Sequence, residues 1–248
     1  MSRPQIVSQA EWTSARTALL AKEKHLTRAR DALNAERRRM PMVEITKPYV
    51  FTGPDGEVSL LDLFGRYTQL ILGHFMFDPS WEDGCPSCSA GVDEVAPGLI
   101  EHLHMRDTEL VYVSRAPIEK LERWKARKGW FVPWYSSYGS DFNYDFDVTL
   151  DASVKPPTYN FRDRAAYERD GSPHPFDFEQ PAEMPGTSFF LRQGDRVFHT
   201  NSTYARGAEM TGGSYYFLDL TALGRQEDWE EPEGRAESAR AAQPDFAT

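Results

Sequence analysis

"TQLILGHFMFDPSWEDGCPSCSAG", residues 68 to 91, carries both cysteines of a 248-residue chain, three positions apart. Two cysteines scattered at random over this length would be separated by three about 1% of the time, so Cys85 and Cys88 are read as a pair. Residues 68–77 form a continuous apolar run of strand length, as expected of a strand buried on both faces. Pro86 and Ser87 suit the first turn of a helix, where a missing N–H costs nothing. The stretch therefore predicts a strand, a cysteine pair and a helix, with Cys85 at or near the helix N-terminus.

Composition narrows what the pair is for. A chain of this length can bury a core without a disulfide or metal staple. A four-residue loop would also be a poor place for one, because a cross-link acting through chain entropy gains more from long loops. The formal net charge of -10 argues against a nucleic-acid partner, which would require a basic face. No run approaches the roughly 20 apolar residues that cross a bilayer. The start, "MSRPQIVSQAEWTSAR", lacks the apolar core of a secretory signal, so a cytoplasmic protein is expected. In that reducing compartment a close cysteine pair serves catalysis or metal binding more often than structure.

Working outward, residues 8–39 are rich in helix formers, with Trp12, Leu19, Leu26 and Leu33 repeating every seven positions. This amphipathic N-terminal extension, residues 1–40, is expected to pack on its own domain or on a sister subunit, which would make a homodimer. "YVFTGPDGEVSLLDLF" reads as a hairpin about Gly53-Pro54-Asp55-Gly56. Beyond the cysteines, "SAGVDEVAPGLIEHLHMR" reads as helical despite Pro97, "TELVYVSR" as a second buried strand, and "APIEKLERWKARKG" as a helix opening at Pro117 and stopping at Gly129. "FVPWYSS" reads as a third strand, at an edge because of Pro133. Residues 141–183 lack clear periodicity and read as an insertion. A last hairpin, "TSFFLRQGDRVFHTNST", and a closing helix in "ARGAEMTGGSYYFLDL" complete the domain, residues 41–225. The acidic tail, residues 226–248, is expected to be disordered. Strand, helix, strand, then a hairpin and a helix is a thioredoxin-like arrangement: an α/β, three-layer fold with a central mixed sheet flanked by helices.

A thiolate at a helix N-terminus is favoured by the dipole and by unpaired N–H groups, so Cys85 is the expected nucleophile and Cys88 the resolving thiol. The acidic neighbours Asp78, Glu82 and Asp83 oppose this, because negative charge disfavours a thiolate. Pro185, ahead of the strand expected to face the pair, is a candidate cis-proline that would hold substrate backbone; a plain turn proline is the alternative. "PWYSSYGSDFNYDF" is either a packed insertion or the wall of a substrate pocket, with Tyr135 and Tyr138 as its contacts. Arg206 is a candidate for holding an anionic substrate, and Ser202 or Thr203 for capping the last helix. An alternative chemistry adds His199, and less readily His74, to the two sulfurs as a soft-metal site for copper or, less readily, zinc. His102 and His104 fall on different helix faces and, with His25 and His174, read as surface residues.

The blocks "HFMF", "GCPSCS", "SRAP", "PWYSSYGSDFNYDF" and "VFHTNSTYARG" give the chain a resemblance, over residues 10–225, to a bacterial family of thioredoxin-like proteins (domain of unknown function 899), often labelled dithiol-disulfide oxidoreductases. The resemblance implies the thioredoxin-like fold and makes Cys85, Cys88, His74 and His199 parts of recurring blocks. Peroxiredoxins place Pro and Thr seven and three residues before their reactive Cys; Asp78 and Glu82 stand there instead, which demotes a peroxidase. The expected function is thiol–disulfide exchange with a thiol or disulfide substrate and no cofactor. The alternatives are a copper-dependent redox protein and a non-catalytic binding module.

Overall fold

The computed structural model describes residues 4–172, 175–222 and 231. The chain divides into two compact units, residues 1–41 with 214–241 and residues 42–213 with 242–248. The first holds α1 (Gln9–Arg37) and α7 (Ser214–Leu218). Ser8 starts α1 with a capping box: its hydroxyl accepts from the Glu11 N–H, and the Glu11 carboxylate accepts from the Ser8 N–H. The seven-residue stripe lies along α1 as expected, but none of the helix is buried, and Trp12, Leu19, Leu26 and Leu33 are between 45% and 68% exposed.

The second unit is built on an eight-stranded sheet among the described residues. Its strands are β1 (Val43–Glu44), β2 (Val50–Gly53), β3 (Gly56–Ser59), β4 (Gln69–His74), β5 (Thr108–Ser114), β6 (Trp134–Ser136), β9 (Gly186–Gln193) and β10 (Arg196–Tyr204), in spatial order β1-β10-β9-β4-β5-β6-β2-β3. At its centre β4 runs parallel to β5 and antiparallel to β9, and β10 is antiparallel to β9. That four-strand core, order β10-β9-β4-β5, is the strand–helix–strand plus hairpin arrangement of a thioredoxin-like fold. Between β4 and β5 lie α2 (Pro86–Asp93) and α3 (Pro97–His104), and α4 (Ile118–Lys128) leads to β6. Gly129 ends α4 at φ +68°, a left-handed cap that a residue with a Cβ adopts only at a cost. The insertion contributes α5 (Phe142–Asp145), α6 (Arg164–Asp170) and a two-stranded ribbon of β7 (Thr149–Leu150) and β8 (Ala182–Glu183).

Side chains alternate across β4 and β5, so the sheet has two buried faces. Leu70, Leu72, Val111 and Val113 join one core layer with Phe142, Phe146, Tyr167 and Phe190, which places the insertion helices on that face. Phe75, Phe77, Cys85, Val92, Leu121 and Trp134 form the other layer, under α2 and α4. The sheet is thus the middle of three layers.

Several expectations are corrected. The strand expected to run to Phe77 ends at His74, and residues 75–77 continue as an apolar linker. The single helix after the cysteines is two, because Pro97, which cannot donate to the preceding turn, opens α3 instead of continuing α2. β6 is not an edge strand: it pairs with β5 on one side and with β2, through Thr52 and Ser136, on the other. The closing helix is a run of 3₁₀ turns, Ala205–Thr211, followed by the short α7. His104 is only partly exposed, stacked on Tyr67 and 3.1 Å from a Glu109 carboxylate oxygen. His174 and all of the acidic tail but residue 231 lie outside the described residues.

Candidate active site

The segment after β4 is tied down at several points. Asp78 is buried, and its carboxylate accepts from the Ser80 N–H (2.8 Å) and hydroxyl (2.7 Å), an Asx-type turn, while also pairing with the Arg115 guanidinium. The Lys120 ammonium donates to the carbonyls of Pro79 (2.9 Å) and Trp81 (2.7 Å). Arg127 pairs with Asp83, and Lys120 stands 3.9 Å from Glu82. The three carboxylates that seemed to oppose a thiolate at Cys85 therefore each have a cationic partner. Gly84 passes where a Cβ would sit 2.8 Å from a Phe75 ring carbon and 3.1 Å from the Trp124 indole nitrogen, so only glycine fits beside Cys85 without displacement.

Cys85 is the N-cap of α2 with Pro86 at N1, as the sequence implied, and its N–H donates to the Met76 carbonyl (3.1 Å). The Cys85 sulfur accepts from the Cys88 N–H at 3.5 Å, a cap contact that satisfies one of the orphan donors at the helix start. Both cysteines are free thiols, Cys85 buried to 8% exposure and Cys88 partly exposed. A hydrogen bond from the Cys88 side chain, helped by the backbone N–H groups of Cys88 and Ser87, outweighs burial and draws the Cys85 thiol down to about 6. Cys88 moves the opposite way, well above an ordinary thiol, because it is the donor to Cys85, its sulfur is shielded from solvent and it faces the charge on Cys85. A hydrogen bond from the Met76 backbone works against that rise.

Two tyrosines that the sequence did not single out stand within electrostatic reach of Cys88. Tyr112 lies opposite Gly73 in the β4–β5 register, and its ring occupies the space a Gly73 Cβ would need, 2.5 Å from it. Burial, with the Cys88 charge behind it, pushes the Tyr112 phenol up to about 12. Tyr159, from the insertion, is also pushed up, first by burial, and among the smaller causes is Cys88. The Tyr159 hydroxyl donates to the Pro185 carbonyl (2.9 Å) and accepts from the Ala205 N–H (3.0 Å). Pro185 precedes Gly186, which pairs with His74 at the end of β4 that feeds the cysteine loop. Pro185 thus stands on the cysteine side of the sheet end, but its peptide bond is trans; the cis bond found among the described residues is Gln180–Pro181.

The remaining candidates are elsewhere. His74 shares a face with Leu70 and Leu72, against Phe142 and Phe146, in the layer opposite the cysteines. Its Nε2 lies 2.7 Å from the Ser188 hydroxyl, which lies 2.8 Å from that of Ser202, which in turn lies 2.7 Å from His199 Nε2. The two histidines therefore end a buried chain of hydroxyls, and Ser202 is committed to it instead of capping a helix. Among the described residues no three His, Cys, Asp or Glu side chains come together as a metal-binding group, so the proposed ligand set of Cys85, Cys88, His199 and His74 is not assembled. Tyr135 packs over Gly53 in the hairpin, and Tyr138 is exposed on a turn. Arg206 pairs with Glu209 at 3.1 Å. Half of the rest of "PWYSSYGSDFNYDF" is core: Trp134, Ser136, Ser137, Phe142, Asn143 and Phe146 are all buried. A cavity of about 200 Å³ opens at the far end of α2, lined in part by Val92, Asp93, Lys128 and Trp130, and neither Tyr135 nor Tyr138 borders it.

A buried polar network missed in the sequence backs the site. Arg115, directly after β5, pairs with both Asp78 and Glu183, with its Nε 2.6 Å from the Glu183 carboxylate. The Glu183 carboxylate also accepts from the Thr149 hydroxyl at 3.0 Å. The cysteine loop and the ribbon that leads to Pro185 are thereby clamped by one guanidinium.

Among solved structures the chain is similar to a Cys-to-Ser variant of peroxiredoxin Q from Xanthomonas campestris, at 12% identity and a TM-score of 0.45 over 69% of this chain and 91% of that one. It is similar to the peroxidoxin BcpB of Mycobacterium tuberculosis at 12% identity and a TM-score of 0.40, over 69% and 92% of the two chains. The reduced 2-Cys peroxiredoxin of Plasmodium vivax follows at 15% identity and a TM-score of 0.37, over 67% and 82%. None of these similarities bears on the chemistry of the pair. No curated protein matches the sequence. No described helix is long and apolar enough to cross a membrane. The model of the family described as bacterial protein of unknown function (DUF899) matches residues 1–242, and the chain belongs to that family.

Proposed function

We propose that the chain is a thiol–disulfide oxidoreductase. The Cys85 thiolate attacks one sulfur of a substrate disulfide, forming a mixed disulfide and expelling the other substrate sulfur as a thiol. Cys88 then loses its proton and attacks the Cys85 sulfur, closing Cys85–Cys88 and releasing the second substrate thiol. Two electrons pass to the substrate, and an external thiol or dithiol returns them to the pair. The chemistry needs no cofactor beyond the two sulfurs.

The observation that carries this reading is the placement of two free thiols at one helix start, Cys85 as the N-cap of α2 accepting from the Cys88 N–H at 3.5 Å; the same hydrogen bonding draws Cys85 down to about 6 and holds Cys88 well up. A nucleophile ionised at neutral pH beside a thiol held protonated is the division of labour that exchange requires. The test is a free-thiol count on mild oxidation with glutathione disulfide. Two thiols are expected to disappear and to return with dithiothreitol, and Cys85→Ser is expected to abolish the change. A pair that stays reduced in excess glutathione disulfide overturns the reading.

A further inference from the structure

Residues 77–84, between the apolar linker and the cysteines, form a loop closed at its base. There the Cys85 N–H donates to the Met76 carbonyl at 3.1 Å, and inside the loop the Trp81 N–H donates to the Asp78 carbonyl at 3.0 Å. One face of α4 lies against it, presenting Lys120, Trp124 and Arg127 at i, i+4 and i+7. The Lys120 ammonium holds the Pro79 and Trp81 carbonyls at 2.9 and 2.7 Å, Arg127 pairs with Asp83, and the Trp124 indole nitrogen stands 3.1 Å from where a Gly84 Cβ would be.

Lys120 is the member of this stripe whose placement helix chemistry does not explain. It lies in the first turn of α4, where the helix dipole disfavours a cation. Its side chain is 20% exposed, so it gives up rotamer freedom that a surface lysine keeps. Glu82 does not account for this: the pair is 3.9 Å long and the Glu82 side chain is 92% exposed, the kind of ion pair that contributes least. What Lys120 gains is two charge-assisted hydrogen bonds to main-chain carbonyls of the loop. Departures from local preference of this sort collect at functional sites.

We propose that Lys120 is a positioning residue for thiol exchange: by holding the Pro79 and Trp81 carbonyls it fixes the loop that delivers Cys85 to the start of α2. Its consequence for the reaction rests on the thiol-exchange reading; its effect on the Cys85 thiol does not. The groups that draw that thiol down, Cys88 and the N–H groups of Cys88 and Ser87, all belong to the helix start. Lys120 reaches the sulfur by keeping Cys85 among them, through the loop and not through its own charge.

The test uses the full chain. Alkylation of Cys85 by iodoacetamide is followed against pH, read on its own peptide by mass, and exchange with glutathione disulfide is measured separately. In Lys120→Met the midpoint of the alkylation profile is expected to rise by about one pH unit, which slows alkylation at pH 6 about fivefold, and glutathione disulfide exchange at that pH is expected to slow with it. Lys120→Gln, which keeps a donor on a shorter stem, is expected to fall between the two and carries the test if Lys120→Met does not fold. Glu82→Gln, which removes only the exposed ion pair, is expected to match the wild type. The shift is expected to persist in about 1 M sodium chloride, which screens a charge but leaves a loop in place. Variants that lower the thermal midpoint yet keep the wild-type alkylation profile overturn the proposal, because Lys120 would then be structural. A shift that vanishes in high salt also overturns it, since the lysine would act by charge. Wild-type protein that never exchanges with glutathione disulfide, while its Cys85 profile still moves in Lys120→Met, refutes the exchange reading and leaves the positioning of the thiol standing.

Discussion

A thiol at the N-cap of α2 and a thiol one turn into it share a covalent structure and differ in surroundings. Cys85 receives N–H groups and a hydrogen bond from Cys88, while Cys88 gives that bond and faces the resulting charge. The alkylation rate of Cys85 is accordingly expected to rise with pH through a midpoint near 6, and in Cys88→Ala to move up toward an ordinary thiol, because the largest cause of the depression is gone. The sign carries into stability. With the folded value below the unfolded one, the ionised thiol contributes stability that is complete above the unfolded value and is lost as the pH falls through about 6. A pH–rate profile with iodoacetamide checks the first, and a midpoint that is the same with and without Cys88 contradicts it. The pair and its place at the helix start were legible in the residues themselves, since spacing and a helix-start proline suffice to place them. The cationic partners of Asp78, Glu82 and Asp83 were not, because Arg115, Lys120 and Arg127 reach the loop only once β5 and α4 are folded beside it.

At the level of elements, the strongest coupling is the one guanidinium between two segments. Arg115→Met leaves the Asp78 and Glu183 carboxylates buried without their cation, and a loss of about 3–5 kcal/mol in urea unfolding is expected. Gly73 shows the same dependence in packing. Gly73→Ala drives a Cβ to 2.5 Å from the Tyr112 ring, an overpacking cost of about 1–3 kcal/mol, and Tyr112→Ala in the same chain is expected to remove most of that cost. A double-mutant cycle in urea measures both, and additive effects would deny the contact. Strand-length apolar runs and turn residues announced β2 to β5 and the last hairpin. β6 was misplaced at an edge because Pro133 suggested it, whereas Pro133 sits before the strand and offers only its carbonyl, to the Tyr112 N–H at 2.9 Å; the second neighbour, β2, is far away in sequence. His74, the less ready of the two histidines in the alternative metal reading, is a hydrogen-bonded core residue. Alternation puts it with Leu70 and Leu72, but which face the cysteine helix would cover depends on the crossover that follows.

For the whole molecule, the four central strands and the helices on both faces were readable, because their order follows from local patterns and the preferred connections between them. The insertion was not, since its short helices and two-residue strands owe their form to tertiary contacts. It supplies eight of the twenty buried residues of one core layer and the Tyr159 hydroxyl that holds Pro185. The hydroxyl chain between the histidines ties the stability of the domain to pH. His74 is buried, and burial together with His199 lowers it to about 3, so the unfolded chain takes up a proton below about 6.5 that the folded one refuses. Stability is expected to fall between those values as acid is added, and His74→Phe to narrow its deficit against the wild type from pH 7 to pH 4. Urea midpoints at the two pH values decide it, and a deficit that widens in acid gives the wrong sign.

The central claim, that Cys85 attacks and Cys88 resolves, is met most directly by trapping the intermediate. Cys88→Ser and Cys85→Ser proteins are incubated with glutathione disulfide at pH 7 and weighed intact, with the adduct site mapped by peptide mass. The account predicts a stoichiometric glutathione adduct on Cys85 in Cys88→Ser and little or none on Cys88 in Cys85→Ser. An adduct that forms as readily on Cys88, or on neither, contradicts it.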